Sequence, residues 1–218
     1  LIRGNILTDP QLFAGNQRAF VAATVDEHRG DFTPEGGLYR TLWHEVGHYL
    51  GVNRTRDGRE LGAALQDAAD LLEEMKADLV SLFAARELHE RGAFDDARLR
   101  AVYADGIRRV LQKTRPRRDQ PYQTMELIQW NWFLDRGLLT AEGGRLRIHH
   151  ERYDEAVETL LAAVLALQAG GDREGGHPVV GRWARWGGTL HGAGARRTRA
   201  AGRARLAPGR PAALREQP

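Results

Sequence analysis

The segment TLWHEVGHYL, residues 41–50, contains the pattern His-Glu-x-x-His. An α-helix advances about 100° per residue, so residues four apart lie above one another on the same face. His44 and His48 can therefore both point an imidazole nitrogen at one metal ion, and Glu45 lies at the edge of the same site. There the Glu45 carboxylate can take a proton from an attacking water, as in zinc metallopeptidases.

The residues around this motif favour a metal site over a chance match, although the same pattern also occurs in helices that bind nothing. Leu42, Val46 and Leu50 form an apolar stripe beside the two histidines, which predicts that the helix packs into a core. Histidines buried without a partner would cost free energy. A shared metal ion is the simplest partner for both.

A third metal ligand is predicted in the segment LLEEMKADLV, residues 71–80, which also has helical spacing. A tetrahedral catalytic zinc site needs three protein ligands and leaves one position open. Glu74, which comes 26 residues after His48, can supply the third ligand. Asp78 shares its helix face and can accept the second N–H of one ligand histidine, and Glu73 is assigned to the other histidine. The alternative is a solvated acidic face.

The two motifs together resemble those of the dipeptidyl peptidase III family of zinc peptidases. That family carries H-E-x-x-x-H, with glycine before the second histidine, followed by E-E-C-R-A-[ED]. The chain has HEVGH at 44–48, one residue shorter and with the ordinary i, i+4 helical spacing. It has EEMKAD at 73–78, with Met75 for cysteine and Lys76 for arginine. It therefore resembles the C-terminal catalytic part of a divergent, bacterial-type member.

This resemblance implies a longer two-lobed protein in which residues 1–195 are the catalytic domain. It implies one Zn²⁺ per chain and release of dipeptides from the N-termini of oligopeptides in the cytoplasm. Where the family has a histidine thought to stabilise the transition state, this chain has Tyr122, and Glu126 replaces a family arginine. A tyrosine hydroxyl can donate to an oxyanion, so Tyr122 joins Glu45 as a candidate catalytic residue. The alternative is that Tyr122 only packs at the start of its helix.

The composition suits one globular domain with a core, because 42% of the 218 residues are hydrophobic and 28% are charged. The chain has no cysteine, so any metal must be held by histidine and carboxylate side chains. It contains no apolar run long enough to cross a membrane. Its first residues resemble neither a signal peptide nor an initiator methionine, so we expect a fragment of a longer protein.

The apolar periodicity predicts a mainly α fold, a bundle of about five helices with one small hairpin. The turn PEGG at 34–37 precedes the first zinc helix, which ends near Gly51. His149 and His150 are expected to be exposed, and His28 is expected to be a surface or capping residue rather than a further polar group near the metal site. The other predicted helices cover residues 63–91, 95–113, 122–136 and 153–168, and a strand at 145–149 can pair with 138–139.

The C-terminal part of the chain differs in composition from the rest. Residues 170–218 contain ten arginines, no lysine and three acidic residues, for a net charge of +7, whereas the preceding residues carry −4. Residues 196–218, rich in Arg, Gly, Ala and Pro, are predicted to be disordered. Two alternative functions remain open, an inactive zinc-binding domain and a protein that binds nucleic acid through this tail. The tail lacks interleaved aromatic residues, which disfavours nucleic-acid binding. The sequence does not predict an oligomeric state.

Overall fold

This computed structural model describes residues 9–111, 121–171, 179 and 181–186. Its main elements there are seven α-helices and one β-hairpin, joined by loops and three short 3-10 turns. The predicted mainly α fold with a small hairpin is confirmed. The tail predicted to be disordered, 196–218, lies outside the described residues. The elements in chain order are α1 (Pro10–Ala23), α2 (Pro34–Gly47), α3 (Leu61–Leu65), α4 (Ala69–Glu90), α5 (Asp96–Val110), α6 (Pro121–Asp135), β1 (Leu139–Glu142), β2 (Arg145–Ile148) and α7 (Tyr153–Gly170).

Helix α4 forms the centre of the bundle and packs against α2, α5, α6 and α7. Because neighbours cover it on several sides, its buried residues do not form a single apolar stripe. Sequence periodicity predicted one helix over 63–91, but the structure divides it at Gln66, whose φ of 50° is left-handed. A short 3-10 turn, Gln66–Ala68, separates α3 from α4. Among the described residues, no helix combines the length and apolar character needed to cross a bilayer.

Helix α2 differs from the prediction at both its start and its buried face. It begins at Pro34 rather than after the glycine pair, because proline at the first helical position loses no hydrogen bond and already has a helical φ. The helix packs into the core as predicted, but not through the apolar stripe from which this was inferred, since Leu42 is 54% exposed and Leu50 is 47% exposed. The buried face of α2 instead carries small and polar residues, namely Gly36, Arg40, His44 and Gly47.

Two glycines allow α2 to approach its neighbours closely. A Cβ atom at Gly36 would lie 2.1 Å from the carbonyl oxygen of Ala101 on α5. A Cβ atom at Gly47 would lie 2.9 Å from the Cα atom of Ala77 on α4. Backbone atoms cannot turn aside as a side chain can, so each contact requires glycine on α2.

The hairpin turns at two glycines and packs next to the end of α1. Gly143 and Gly144 have φ values of 54° and 75°, which two-residue hairpin turns with both central residues at positive φ require. Thr24, just after α1, forms a parallel bridge with Leu146 on β2. The backbone N–H of Ile148 donates to His28 Nε2 at 3.0 Å. His28 is therefore buried, and the prediction that it lies at the surface is wrong.

We expect Gly36→Ala to lower the melting temperature, because its methyl group would overlap the Ala101 carbonyl and push α2 from α5. Overpacking of this kind costs about 1–3 kcal/mol of unfolding free energy. Gly37→Ala is the matched control, since its nearest neighbour would be Asp105 Oδ1 at an ordinary 3.7 Å. Thermal unfolding followed by circular dichroism measures both. Equal melting temperatures for the two variants would contradict the close approach.

Candidate metal centre

Helices α2 and α4 bring His44, His48 and Glu74 together. One potential ligand atom from each lies within 4.8 Å of the other two. Glu74 Oε2 is 3.4 Å from His44 Nε2 and 3.9 Å from His48 Nε2. Ligand atoms bonded to a tetrahedral zinc ion at about 2.1 Å lie roughly 3.4 Å apart, so these separations suit one small cation.

The hydrogen bonding of Glu74 also fits a cation. Its Oε2 atom is buried and, within the described part of the chain, accepts no hydrogen bond. Burial of an unsatisfied carboxylate oxygen costs free energy, which a bound cation would recover. Two imidazole nitrogens and one carboxylate oxygen are ligands that zinc commonly takes. These three residues are therefore able to hold a metal.

A carboxylate holds the second nitrogen of each histidine. His44 Nδ1 lies 3.2 Å from Asp78 Oδ1, and His48 Nδ1 lies 3.2 Å from Glu73 Oε1. A carboxylate accepts a hydrogen bond, so each contact favours the proton on Nδ1 and leaves the Nε2 lone pair for a metal. The sequence predicted that Asp78 would meet one of the two histidines and Glu73 the other, and the structure places Asp78 beside His44 and Glu73 beside His48.

Asp78 lies in a buried ion cluster that the sequence analysis missed. Its Oδ1 atom accepts from Arg40 at 2.8 Å and lies 3.2 Å from Arg109 Nε, while its Oδ2 atom accepts from Gln129 at 3.3 Å. Arg40 also donates to Asp105 at 2.6 Å. Arg40 precedes His44 by one helical turn and therefore lies on the same helix face as the two histidines. This spacing was the feature of the sequence that could have predicted its burial beside the site.

The charges in this cluster keep the Asp78 carboxyl ionised. Burial alone raises the pKa of Asp78, but the positive charges of Arg109 and Arg40 and the hydrogen bond from His44 outweigh it. The net effect is a pKa well below the ordinary value of an aspartate. Asp78 can therefore act as a permanent acceptor for the His44 imidazole.

Glu73 has a smaller set of partners. The buried Lys76 ammonium lies 2.8 Å from Glu73 Oε1 and also donates to the carbonyl oxygen of Leu50 at 2.7 Å. Gln168 of α7 donates to Glu73 Oε2 at 3.2 Å. Burial raises the pKa of Glu73, but the hydrogen bonds from Lys76 and His48 outweigh it and place the pKa below its ordinary value.

The two predicted catalytic residues, Glu45 and Tyr122, are both exposed. Glu45 lies on the outer face of α2, next to His44 in the chain. Tyr122 begins α6, is 44% exposed, and donates its hydroxyl hydrogen to Glu74 Oε1 at 2.7 Å. Tyr122 therefore reaches the same carboxylate that can bind a metal, although its catalytic role stays a prediction.

A second cluster, His28, Asp31 and His150, also has ligand atoms within 4.8 Å of one another. Asp31 Oδ2 lies 3.2 Å from His28 Nδ1 and 3.6 Å from His150 Nε2. However, His28 Nε2 already accepts the N–H of Ile148, which places the imidazole proton on Nδ1. A protonated nitrogen cannot bind a metal, so we interpret this cluster as a structural contact between the turn before α2 and the hairpin.

The pKa of Asp31 makes this contact sensitive to acid. Burial raises that pKa, but the attraction of His150, at 3.6 Å, and the hydrogen bond with His28, at 3.2 Å, outweigh it and lower the pKa from 3.8 to about 2. A carboxyl with a lowered pKa stabilises the fold above its unfolded pKa and loses that contribution as pH falls through the folded value. Its stabilising effect is therefore complete above about pH 4 and absent below about pH 2.

We expect wild type to be more stable than Asp31→Asn above about pH 4, and the difference to shrink as the pH falls from about 4 to about 2. Thermal unfolding at a series of pH values measures the difference in melting temperature. Asp135→Asn, at the exposed end of α6, is the matched control. A difference that stays constant with pH would contradict the lowered pKa of Asp31.

Comparison with known sequences gives a weak match. No protein-family model matches the chain. Nudix hydrolase 3 of Arabidopsis thaliana is 24% identical over 152 residues, which cover 67% of this chain and 20% of that protein. The chain therefore spans about a fifth of the curated relative that it matches.

Comparison with solved structures gives a stronger match. A structure of dipeptidyl peptidase III from Caldithrix abyssi superposes with a TM-score of 0.75 at 20% identity, covering 85% of this chain and 36% of that one. The dipeptidyl peptidase III from Corallococcus sp. strain EGB gives 0.72 at 21% identity, covering 88% and 37%. The chain has the same fold as part of these proteins and spans little more than a third of their length.

Proposed function

We propose that this chain, which has a dipeptidyl peptidase III-like fold, is the zinc-binding catalytic part of a peptidase, with residues 1–195 as its catalytic domain. One observation carries the proposal. The Nε2 atoms of His44 and His48 converge on Glu74 Oε2, a buried oxygen that accepts no hydrogen bond within the described residues. Three protein ligands with one open position are typical of catalytic rather than structural zinc.

The proposed chemistry assigns one task to each side chain. Bound zinc would polarise the scissile carbonyl and lower the pKa of a water molecule. Glu45 would take a proton from the attacking water and pass it to the leaving amine. Tyr122 would move its hydroxyl from Glu74 towards the negative oxygen that develops in the transition state. Asp78 and Glu73 would hold the two imidazoles in the orientation that leaves each Nε2 free.

The proposed substrate is an oligopeptide, from which a dipeptide is released at the N-terminus in the cytoplasm. The two solved structures that share this fold, both named as dipeptidyl peptidase III, support this reading. The chain spans only 36–37% of their length.

We expect the purified chain to contain about one zinc per molecule and Glu74→Ala to lose it, since one of three ligands is removed. Glu45→Gln should keep the zinc and lower kcat by about 10²–10⁴-fold, because the general base is lost while its volume remains. Elemental analysis gives the zinc content. Release of a chromogenic amine from a dipeptide amide gives the rate, and an acetylated substrate tests the need for a free N-terminus.

The control for these variants is Glu35→Gln, an exposed glutamate in the first turn of the same helix. It should change neither zinc content nor rate. Full activity in Glu45→Gln would reject Glu45 as the base. A wild-type chain that binds no zinc after metal-replete purification would reject the metal site. Zinc without hydrolysis of any peptide would instead identify an inactive metal-binding domain.

We expect Tyr122→Phe to lower kcat by about 10²-fold with little change in KM or zinc affinity, because one donor to the transition state is lost. Tyr49→Phe is the matched control, since Tyr49 follows directly after His48 and is 89% exposed. Steady-state kinetics on the dipeptide amide separates kcat from KM. Unchanged kcat in Tyr122→Phe would favour the alternative that Tyr122 only packs at its helix start.

A further inference from the structure

We infer that Arg40 is a positioning residue that fixes the orientation of His44 through Asp78. The inference rests on the proposed metal site, in which His44 is a ligand. Arg40 lies on α2 one helical turn before His44, and its guanidinium joins Asp78 of α4 to Asp105 of α5. It therefore ties α2, which carries His44 and ends directly before His48, to two neighbouring helices at once.

Arg40 contacts the same oxygen atom of Asp78 that His44 does. Arg40 donates to Asp78 Oδ1 at 2.8 Å, and the same oxygen lies 3.2 Å from His44 Nδ1. The Arg40 and Asp78 side chains are only 6% and 4% exposed, so no bulk water competes for these bonds. A single carboxylate oxygen is thus shared by the guanidinium and the imidazole.

The geometry of a guanidinium suits this task better than that of an ammonium. Arginine has five donors in a rigid planar fork, whereas lysine has one compact charge on a flexible stem. The Nε atom of Arg40 reaches Asp105 at 2.6 Å while its terminal nitrogen reaches Asp78. A lysine at this position could meet one carboxylate well but not hold both in a fixed relation.

Rotation of the Asp78 carboxylate is the motion that Arg40 would prevent. The last torsion of an aspartate side chain is broad, so the carboxylate turns easily unless both oxygens are held. Gln129 donates to Oδ2, and Arg109 lies within 3.3 Å of both oxygens. Arg40 is the partner of Oδ1 that shares a helix with His44. Its loss would let His44 turn its Nε2 atom away from Glu74.

A purely structural role for Arg40 can be distinguished from a positioning role by the protonation of the ring nitrogens of His44 and His48. His48 is held by a different carboxylate, that of Glu73, so a positioning effect of Arg40 should change the tautomer of His44 and not that of His48. General loosening of the bundle would alter both histidines. The ¹⁵N chemical shifts of imidazole nitrogens report which nitrogen carries the proton, and they can be measured without metal or substrate.

The experiment uses Arg40→Lys in the full 218-residue chain. At alkaline pH, the metal-free wild type should show His44 protonated at Nδ1, and the variant should show a mixture of both tautomers while His48 is unchanged. Zinc affinity, measured by competition with a chelator, should fall about 10- to 100-fold, as for other partners of metal-bound histidines. Arg86→Lys is the matched control, because Arg86 also meets several carboxylates but lies away from the site, between α4 and α7.

Wild-type tautomer and zinc affinity in Arg40→Lys would overturn the inference, as would equal changes at His44 and His48. If that variant does not fold, Arg40→Gln combined with Asp105→Asn removes one charge of each sign and gives the same two readouts. Failure of the proposed function is a separate result. A wild-type chain that binds no zinc would reject the metal site, whereas the metal-free tautomer measurement would still show whether Arg40 orients His44.

Discussion

The close packing of α2 against α4 is the constraint on which the candidate site depends. Gly47 lies between the two histidines in sequence, and Ala77 lies between Glu74 and Asp78, two of the three acidic residues of α4 that meet them. A methyl group at Gly47 would reach the Ala77 Cα atom at 2.9 Å, so only glycine permits this helix separation. The distances of 3.4 and 3.9 Å from Glu74 to the imidazoles follow from it. The small residues Gly47 and Ala77 therefore determine how closely the Glu74 carboxylate approaches the two imidazoles.

The buried charges around this interface are not explained by stability. A buried ion pair recovers its desolvation cost only with good geometry, and well-packed apolar residues would often stabilise the fold more. Arg40, Asp78 and Asp105 nevertheless occupy the contact of three helices with few exposed atoms. Such a cluster lowers the free energy of one arrangement of the helices relative to slightly shifted arrangements, since a shift would leave a buried charge unpaired. That selectivity suits a candidate metal site whose residues come from two segments of the chain.

Local spacing predicted much of this structure, because helix geometry fixes which residues share a face. The histidine pair, Glu74 and Asp78 were found in this way, as were the hairpin and most helices. Burial was predicted less well. Leu42 belongs to the stripe that was expected to face the core, and it is exposed. Arg40 is buried between Asp78 and Asp105, which lie 38 and 65 residues further along the chain, so its burial could not be predicted from the local sequence. No glycine or proline marks the helix break at Gln66 before α4 in the sequence. Such features depend on contacts that no short window contains.

The carboxylates behind the two histidines also bear on the rate at which a metal could enter. Many small zinc domains acquire their shape only as the ion arrives, so uptake waits for the chain to reorganise. Here both imidazoles are already held through Nδ1, and Glu74 Oε2 already faces them. An incoming ion would meet a preformed set of ligands, and a preorganised site spends little of its binding energy on ordering side chains. Uptake would then be governed by how fast the ion sheds its own water.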